Sequence, residues 1–373
     1  MVHPLPKGYE MSDPKQNKKG RQHCLPAPEE NHREVNGLLK KWLGQLEIDP
    51  TPTLLSSGSE AVAYFTRRDL LEEEVALIDH VWQLPEVQGI LRRQRPDGSW
   101  KYTGKETVSY PKHHYQLFQT WKTFRILVEQ YEFTRKHHAA RMAAKFLFSC
   151  QTEQGDIRGM LANQYATYYT GAMLAHLIKA GYEDDPRVEK GFMWLLSMRQ
   201  DDGGWTVPIL TRKFARKTIY GLTSKYAEPV EPDRSKPFSH NCTDMVLRAF
   251  AVHPEYRRCD EAKKAADLLK SRFFKPDAYS SYRAASYWVR FFFWWPNLVT
   301  SLDSLSLMGY SKDDPDIRKA LDWLVDNQSS DGLWRMTYVK GTKEGTSAKN
   351  EKTRERQLWL TLAIARIFKR FYK

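Results

Sequence analysis

Cysteine is scarce. Four residues in 373, Cys24, Cys150, Cys242 and Cys259, contain no CxxC pair and are too few to frame so long a chain, which argues against a disulfide scaffold and for a reduced, cytoplasmic protein. No apolar run approaches the length that would span a bilayer. Met1 to Arg33 is polar and lacks an apolar h-region, so this stretch is expected to be a flexible segment, neither signal peptide nor anchor. Acid is in deficit: 45 Asp and Glu face 58 Lys and Arg, for a formal charge of +13. A basic balance of this kind favours anionic partners. It is concentrated at the end, where Arg335 to Lys373 holds eleven Lys or Arg and three Glu, or +8 of the +13. No nucleic-acid reading motif accompanies the charge, which excludes nucleic acid as the expected partner.

Aromatic residues, by contrast, are abundant: 12 Trp, 19 Tyr and 17 Phe make up 13% of the chain. Some of them mark a repeat. Gly181-Tyr182-Glu183-Asp184-Asp185-Pro186 returns as Gly309-Tyr310-Ser311-Lys312-Asp313-Asp314-Pro315, and Trp194 and Trp323 correspond. Three endings form a series: Gln94 to Trp100, Arg199-Gln200 to Trp205, and Gln328 to Trp334, each closing on Asp-Gly-x-Trp. Gln151 to Ile157 is a worn copy, and a fifth falls near Arg272 to Asp277 without its Gly and Trp. Intervals of roughly 50 to 70 residues accommodate two helices and two loops.

Asp-Pro before the stretch and Asp-Gly after it supply an N-cap, a first-turn proline and a left-handed stop, which predicts helices over Asp185 to Arg199 and Asp314 to Gln328. Between them run more apolar segments: Tyr110 to Gln130, Leu161 to Ala180, Asn241 to His253, Pro296 to Met308 and Arg354 to Arg370. Amphipathic helices alternating with apolar ones predict outer and inner layers. With Glu34 to Leu46 and a short helix near Ser59 to Leu70, the count reaches about six hairpins. The expected fold is all-α, an α/α toroid occupying residues 34–373 as one domain after the polar segment 1–33.

The endings resemble the QW repeats (Gln-x-x-Asp-Gly-x-Trp) of the terpenoid cyclases and protein prenyltransferase β subunits, over roughly Ser59 to the C-terminus. In that family the repeat residues are structural, so Trp100, Trp205 and Trp334 are not catalytic candidates. Ser239 to Leu247 resembles the segment that carries the proton-donating Asp of class II cyclases. Aligned on Thr243, that Asp falls on Asn241, and a carboxamide has no proton of the required acidity. The resemblance makes Asp244, His240, Asn241 and Cys242 the catalytic candidates, with Asp303 and Glu355 as further acids on inner helices. His240 and Cys242, with His113 or His114, are the zinc candidates implied by the prenyltransferases, but Zn²⁺ needs about four ligands. No resident metal is therefore expected, with zinc or magnesium as the alternative.

Rings collect where inner helices begin, and in the family these ends line a cavity whose π faces stabilise carbocations. Tyr110, Tyr115, Tyr165, Tyr168, Tyr169, Trp288, Phe292, Trp294 and Trp295 are accordingly the substrate-binding candidates. The implied function is a cyclase- or prenyltransferase-like protein acting on or binding a polyisoprenoid. The alternatives are a non-catalytic toroid that binds lipid or protein, and a carbohydrate-active toroid, for which no pair of cleft carboxylates stands out. The basic C-terminal helix carries apolar residues between its charges, so peripheral membrane contact through it is a further expectation.

Overall fold

The computed structural model describes residues 41–279, 283–292, 295–339 and 350–373. The segment 1–33, most of the helix expected from Glu34, and Trp294 lie outside them. Helices account for nearly all regular structure: α1 (Thr51–Leu55), α2 (Glu60–Phe65), α3 (Asp79–Trp82), α4 (Pro85–Leu91), α5 (His114–Tyr131), α6 (His138–Ser149), α7 (Thr167–Leu177), α8 (Pro186–Ser197), α9 (Arg216–Leu222), α10 (His240–Val252), α11 (Asp260–Lys270), α12 (Leu298–Leu307), α13 (Pro315–Asp326) and α14 (Glu351–Phe371). One short strand, Met160–Asn163, precedes α7. It takes the start of the segment read as helix from Leu161, because Gly159 and Ala162 both adopt positive φ and turn the chain back on itself.

The fold is an all-α toroid. Its inner helices are α2, α5, α7, α10, α12 and α14; from α5 onward each packs on the next, and α14 returns to pack on α2. Two of them, α2 and α7, run on through one wider turn, Thr66–Leu70 and Ile178–Tyr182. Helices α6, α8, α11 and α13 form the outer layer. Each buries an apolar stripe that includes small residues, such as Ala140, Ala143 and Ala144 in α6 and Ala262, Ala265 and Ala266 in α11, so the layers approach closely. Caps fall where Asp precedes Pro: Asp185 accepts from the Arg187 amide, and Asp314 from those of Asp316 and Ile317.

The repeat endings supply the ties between layers. Trp100, Trp205 and Trp334 each donate the indole N–H to a carbonyl ten residues earlier, on Ile90, Leu195 and Leu324. The backbone N–H of the same position donates inward to a threonine hydroxyl of the following inner helix: Trp100 to Thr120, Ile157 to Thr170, Trp205 to Thr243 and Trp334 to Thr361, at 2.9–3.2 Å. The glutamine carboxamide reaches sideways. Gln94 donates to Ala139 O at the start of α6 and Gln151 to Arg187 O at the start of α8. Gln328 both donates to and accepts from the Ile48 backbone, at 2.7 and 3.0 Å, which closes the ring. Gln200 departs from the pattern and donates to Asp233 and Lys236, because the long excursion before α10 intervenes.

Gly98 has φ +87°, and a Cβ there would lie 2.1 Å from the Met142 carbonyl oxygen. Both facts exclude a side chain. Replacing Thr243 with Val keeps the shape of a fully buried side chain and removes the acceptor of the Trp205 N–H. Urea unfolding is expected to show a loss of about 1–3 kcal/mol for Thr243→Val, a smaller loss for Thr243→Ser, and for Gly98→Ala a loss at least as large as that of Thr243→Val.

Candidate functional site

Two places gather chemically capable side chains. The first is a cavity of about 800 Å³ among the inner helices, lined by the second halves of α5, α10 and α14, by α12 and by the wide turns that extend α2 and α7. Its apolar wall includes Val128, Val252, Phe291, Phe292, Trp359 and Leu360. Its remaining wall is charged, with Arg68, Lys179, Arg248, Arg257, Arg366, Lys369, Arg370 and Lys373 against Asp69, Glu72, Glu129, Glu132 and Asp303.

The acids of that wall are each engaged by a cation. Arg68 donates to both Glu132 and Asp69, and Arg366 closes on Asp69. Burial works against charge on Asp69, but the guanidiniums of Arg366 and Arg68 hold its carboxyl below the usual range. Lys369 does the same for Glu72 at 2.7 Å, and Arg370 pairs with Asp303. Glu129 is the clearest case. Trp121 donates its indole N–H to His176 Nδ1, which leaves the proton on Nε2 to be donated to Glu129 at 3.1 Å. Burial opposes the charge there too, but Lys179, His176 and Arg125 together push the Glu129 carboxyl far below its ordinary range. An acid that protonates an alkene must be kept neutral by its surroundings, and these surroundings do the reverse. Glu355 has its pKa raised, by desolvation and the Glu86 carboxylate, but it does not line the cavity.

The second place is the start of α10. Ser239 caps the helix by accepting from the Cys242 amide and donates its hydroxyl to Asp277 at 2.6 Å. Asn241 donates both its side-chain and backbone N–H groups to the same carboxylate oxygen, at 2.5 and 3.3 Å. The Ala278 amide adds a donor to the other oxygen. The Asp277 carboxyl thus accepts from four groups at the start of α10 and in its own loop. His240 lies flat against the Trp288 indole, with ring centroids 4.5 Å apart, and burial pulls its pKa down to about 4. Cys242 is buried against Val207 and Ile209, and burial pushes its thiol up to about 12. Such a thiol is inert as nucleophile or ligand at neutral pH.

The structure separates the sequence candidates. Asp244 is fully buried beneath the cavity wall, pairing with Arg248 at 2.6 Å and accepting from Ser301 and Thr300. Of the ring candidates, Phe292 lines the cavity; Trp288 is buried and donates to Lys275 O, as the repeat tryptophans do to their own helices. Tyr110, Tyr115, Tyr165, Tyr168, Tyr169 and Trp295 lie outside the cavity lining. Tyr110 meets Tyr226 edge-on, the Tyr115 hydroxyl accepts from the Val108 amide, Tyr165 donates to Glu231, and Tyr169 packs on Trp121. Among the described residues no group of three or more His, Cys, Asp or Glu is arranged to hold a metal ion. His114 donates its Nδ1–H to the Gly159 carbonyl, 2.7 Å away. No described helix is long and apolar enough to cross a membrane. Four of the six basic residues of α14, Arg354, Arg366, Lys369 and Arg370, are paired with acids, while Lys352 and Arg356 are exposed at its start. Sequence reading passed over Asp277, Glu129 and His176; only Asp277 carried a signal, as the end of the worn fifth repeat.

The sequence matches no family model and no curated protein. Among solved structures the chain is similar to the type II terpene cyclase MstE from Scytonema. For a variant in complex with geranylgeranyl dihydroxybenzoate, identity is 13% over 79% of this chain and 96% of that one, with a TM-score of 0.32. The apo form gives 12% identity, coverage of 78% and 96%, and a TM-score of 0.32. A protein from Actinoplanes gives 14%, 80% and 100%, and 0.31.

Two pH effects follow at the start of α10. Between pH 6.5 and about 4 the unfolded chain takes up a proton that folded His240 refuses, so stability falls as pH falls through that window. His240→Phe, which keeps the stack on Trp288, is expected to lessen the loss between pH 7 and 4.5 by roughly 2 kcal/mol in urea titrations. Asn241→Asp acts in the opposite direction. It sets a second carboxyl against Asp277, so the pair retains one proton above the unfolded carboxylate pKa, and stability is lost as pH rises. The variant should be about 2 kcal/mol less stable than the parent at pH 7.5, with the gap narrowing toward pH 5.

Proposed function

We propose that this protein is a terpenoid-cyclase- and prenyltransferase-like toroid that takes a polyisoprenoid chain into its central cavity, with an anionic end against the cationic wall. The observation that carries the reading is the cavity itself. Its roughly 800 Å³ falls within the 300–1,000 Å³ or so usual for small-molecule sites. One wall, formed by Val128, Val252, Phe291, Phe292, Trp359 and Leu360, suits a hydrocarbon chain. The other is cationic, and Arg257 in it forms no ion pair among the described residues. The Gln and Asp-Gly-x-Trp endings, read as QW repeats, support the same family reading. The carbohydrate-active alternative finds little support, because each carboxylate of the wall is already engaged by a cation.

Binding without turnover is the second reading, and one observation favours it. At the position that the resemblance gives to the class II acid stands Asn241, its amide committed to Asp277. Proton-initiated cyclisation from that position has no donor.

Titration of geranylgeranyl diphosphate, followed by quenching of tryptophan emission, tests the site, because Trp359 lines the cavity. Saturable quenching is expected. Ala363→Trp, which fills the cavity from α14, should weaken binding at least tenfold at an unchanged thermal midpoint, and Arg257→Ala should weaken it several-fold. Product analysis of the same mixtures, with and without Mg²⁺ and Zn²⁺, and of squalene and oxidosqualene incubations, separates turnover from binding. Failure to bind any of these compounds overturns the proposal.

A further inference from the structure

We propose that the excursion between α8 and α10 docks this protein onto an anionic membrane surface through Arg212 to Tyr226. The excursion sits over the starts of the inner helices, at the end of the ring away from the cavity. Ser109, just before α5, donates its amide and hydroxyl to Ser224 O at 3.1 Å. Gln164, just before α7, donates to Glu228 O and accepts from the Val230 amide. Beneath it, Ile219 and Leu222 pack with Val207, Ile209 and Cys242 in a small apolar cluster separate from the main core. The excursion is thereby anchored, and α9 presents its other side outward.

The outward side has the composition of an interfacial segment. From Arg212 to Tyr226 the chain carries Arg212, Lys213, Arg216, Lys217 and Lys225 and no Asp or Glu. All five are exposed, and none forms an ion pair among the described residues. That is unlike the basic residues of α14, which are mostly paired. Set among these cations are three of the few large apolar side chains that the described surface exposes: Tyr220 is 62% exposed, Tyr226 59% and Phe214 37%. Exposed rings lose little by entering the headgroup region, where amphipathic aromatics are favoured. Lysines and arginines beside them gain from anionic lipid. A protein or nucleic-acid surface would match the charge but gives no reason for rings at the outermost points. One carboxylate borders the patch, that of Glu228, which accepts from the Tyr226 hydroxyl at 2.7 Å; against five cations it leaves a strong positive excess, and rings interleaved between those cations point to lipid.

The test is sedimentation of the full chain with vesicles of phosphatidylcholine alone and of phosphatidylcholine with phosphatidylserine. Binding to the anionic vesicles at low salt is expected, falling steeply as salt rises, with weak or no binding to the neutral ones. Lys213→Glu with Lys217→Glu should weaken binding at least tenfold. Phe214→Ser with Tyr220→Ser should retain weak binding at low salt and lose it at raised salt. These positions are exposed, so both variants should keep the parent's helical content and thermal midpoint, and both should still bind geranylgeranyl diphosphate as the parent does. No binding to anionic vesicles, equal binding to both vesicle types, or binding unchanged in the two variants would overturn the proposal. So would light scattering showing a dimer that Phe214→Ser with Tyr220→Ser dissolves, since the patch would then be covered by a second copy.

Discussion

A ring of helices stands or falls on how each outer helix is fastened to the layer inside it and to its neighbour around the circle. Every turn of the ring ends a helix, and the end of a helix leaves backbone groups without partners. This chain meets both needs with one short loop. The glycine turns the chain back, the tryptophan indole satisfies a carbonyl of the helix just finished, its amide reaches an inner-helix threonine, and the glutamine takes hold of the next outer helix. Each bond is individually modest, on the order of 1 kcal/mol net. Their importance lies in connectivity, because a buried amide left without its threonine would cost more than the bond itself contributes. Gln328 shows the same device at the seam, where the last ending grips Ile48 and the circle becomes closed.

Closure also explains where the charge goes. The C-terminal helix is the sixth inner helix, and past its exposed first turns its basic residues lie within the ring. Arg366 and Lys369 turn toward Asp69 and Glu72 on the wide turn after α2, and Arg370 toward Asp303 on α12. A charge excess that reads in sequence as a basic tail is in space a set of clasps across the ring seam. Pairs this close to a cavity cost desolvation and need partners on several sides, and Arg68 bridging Asp69 and Glu132 is one such arrangement. The cavity that results combines a hydrocarbon wall with ionised carboxylates and their cations. It suits an amphiphile, and it disfavours an acid that must give up a proton to an alkene.

The architecture was legible because it is periodic. Asp-Pro and Asp-Gly are local instructions to begin and end a helix, and their recurrence at hairpin spacing leaves few alternatives to stacked pairs. The threonines that complete the ties were not legible, since Thr120, Thr170, Thr243 and Thr361 occupy inner helices whose register only the fold reveals. The cavity was less legible still. Ring-rich helix starts suggested an aromatic lining, but Tyr110 and Tyr115 hold loops together at the helix entries, and the cavity is lined instead by the later turns of the inner helices. Glu129 and His176 come from different helices, and nothing in either local sequence announces that a buried histidine will stand behind a carboxylate.

The fifth repeat ending shows how the chemistry and the repeat are connected. Its loop has lost the Asp-Gly-x-Trp pattern, yet it keeps a tryptophan tie through Trp288 to Lys275 O and places Asp277 at the start of α10. There one carboxylate oxygen accepts from Ser239 and twice from Asn241. The helix supplies the donors and the facing loop supplies the carboxylate. With donors from Ser239, Asn241 and Ala278, the Asp277 carboxyl fastens the worn repeat to the start of α10 and so to the inner ring.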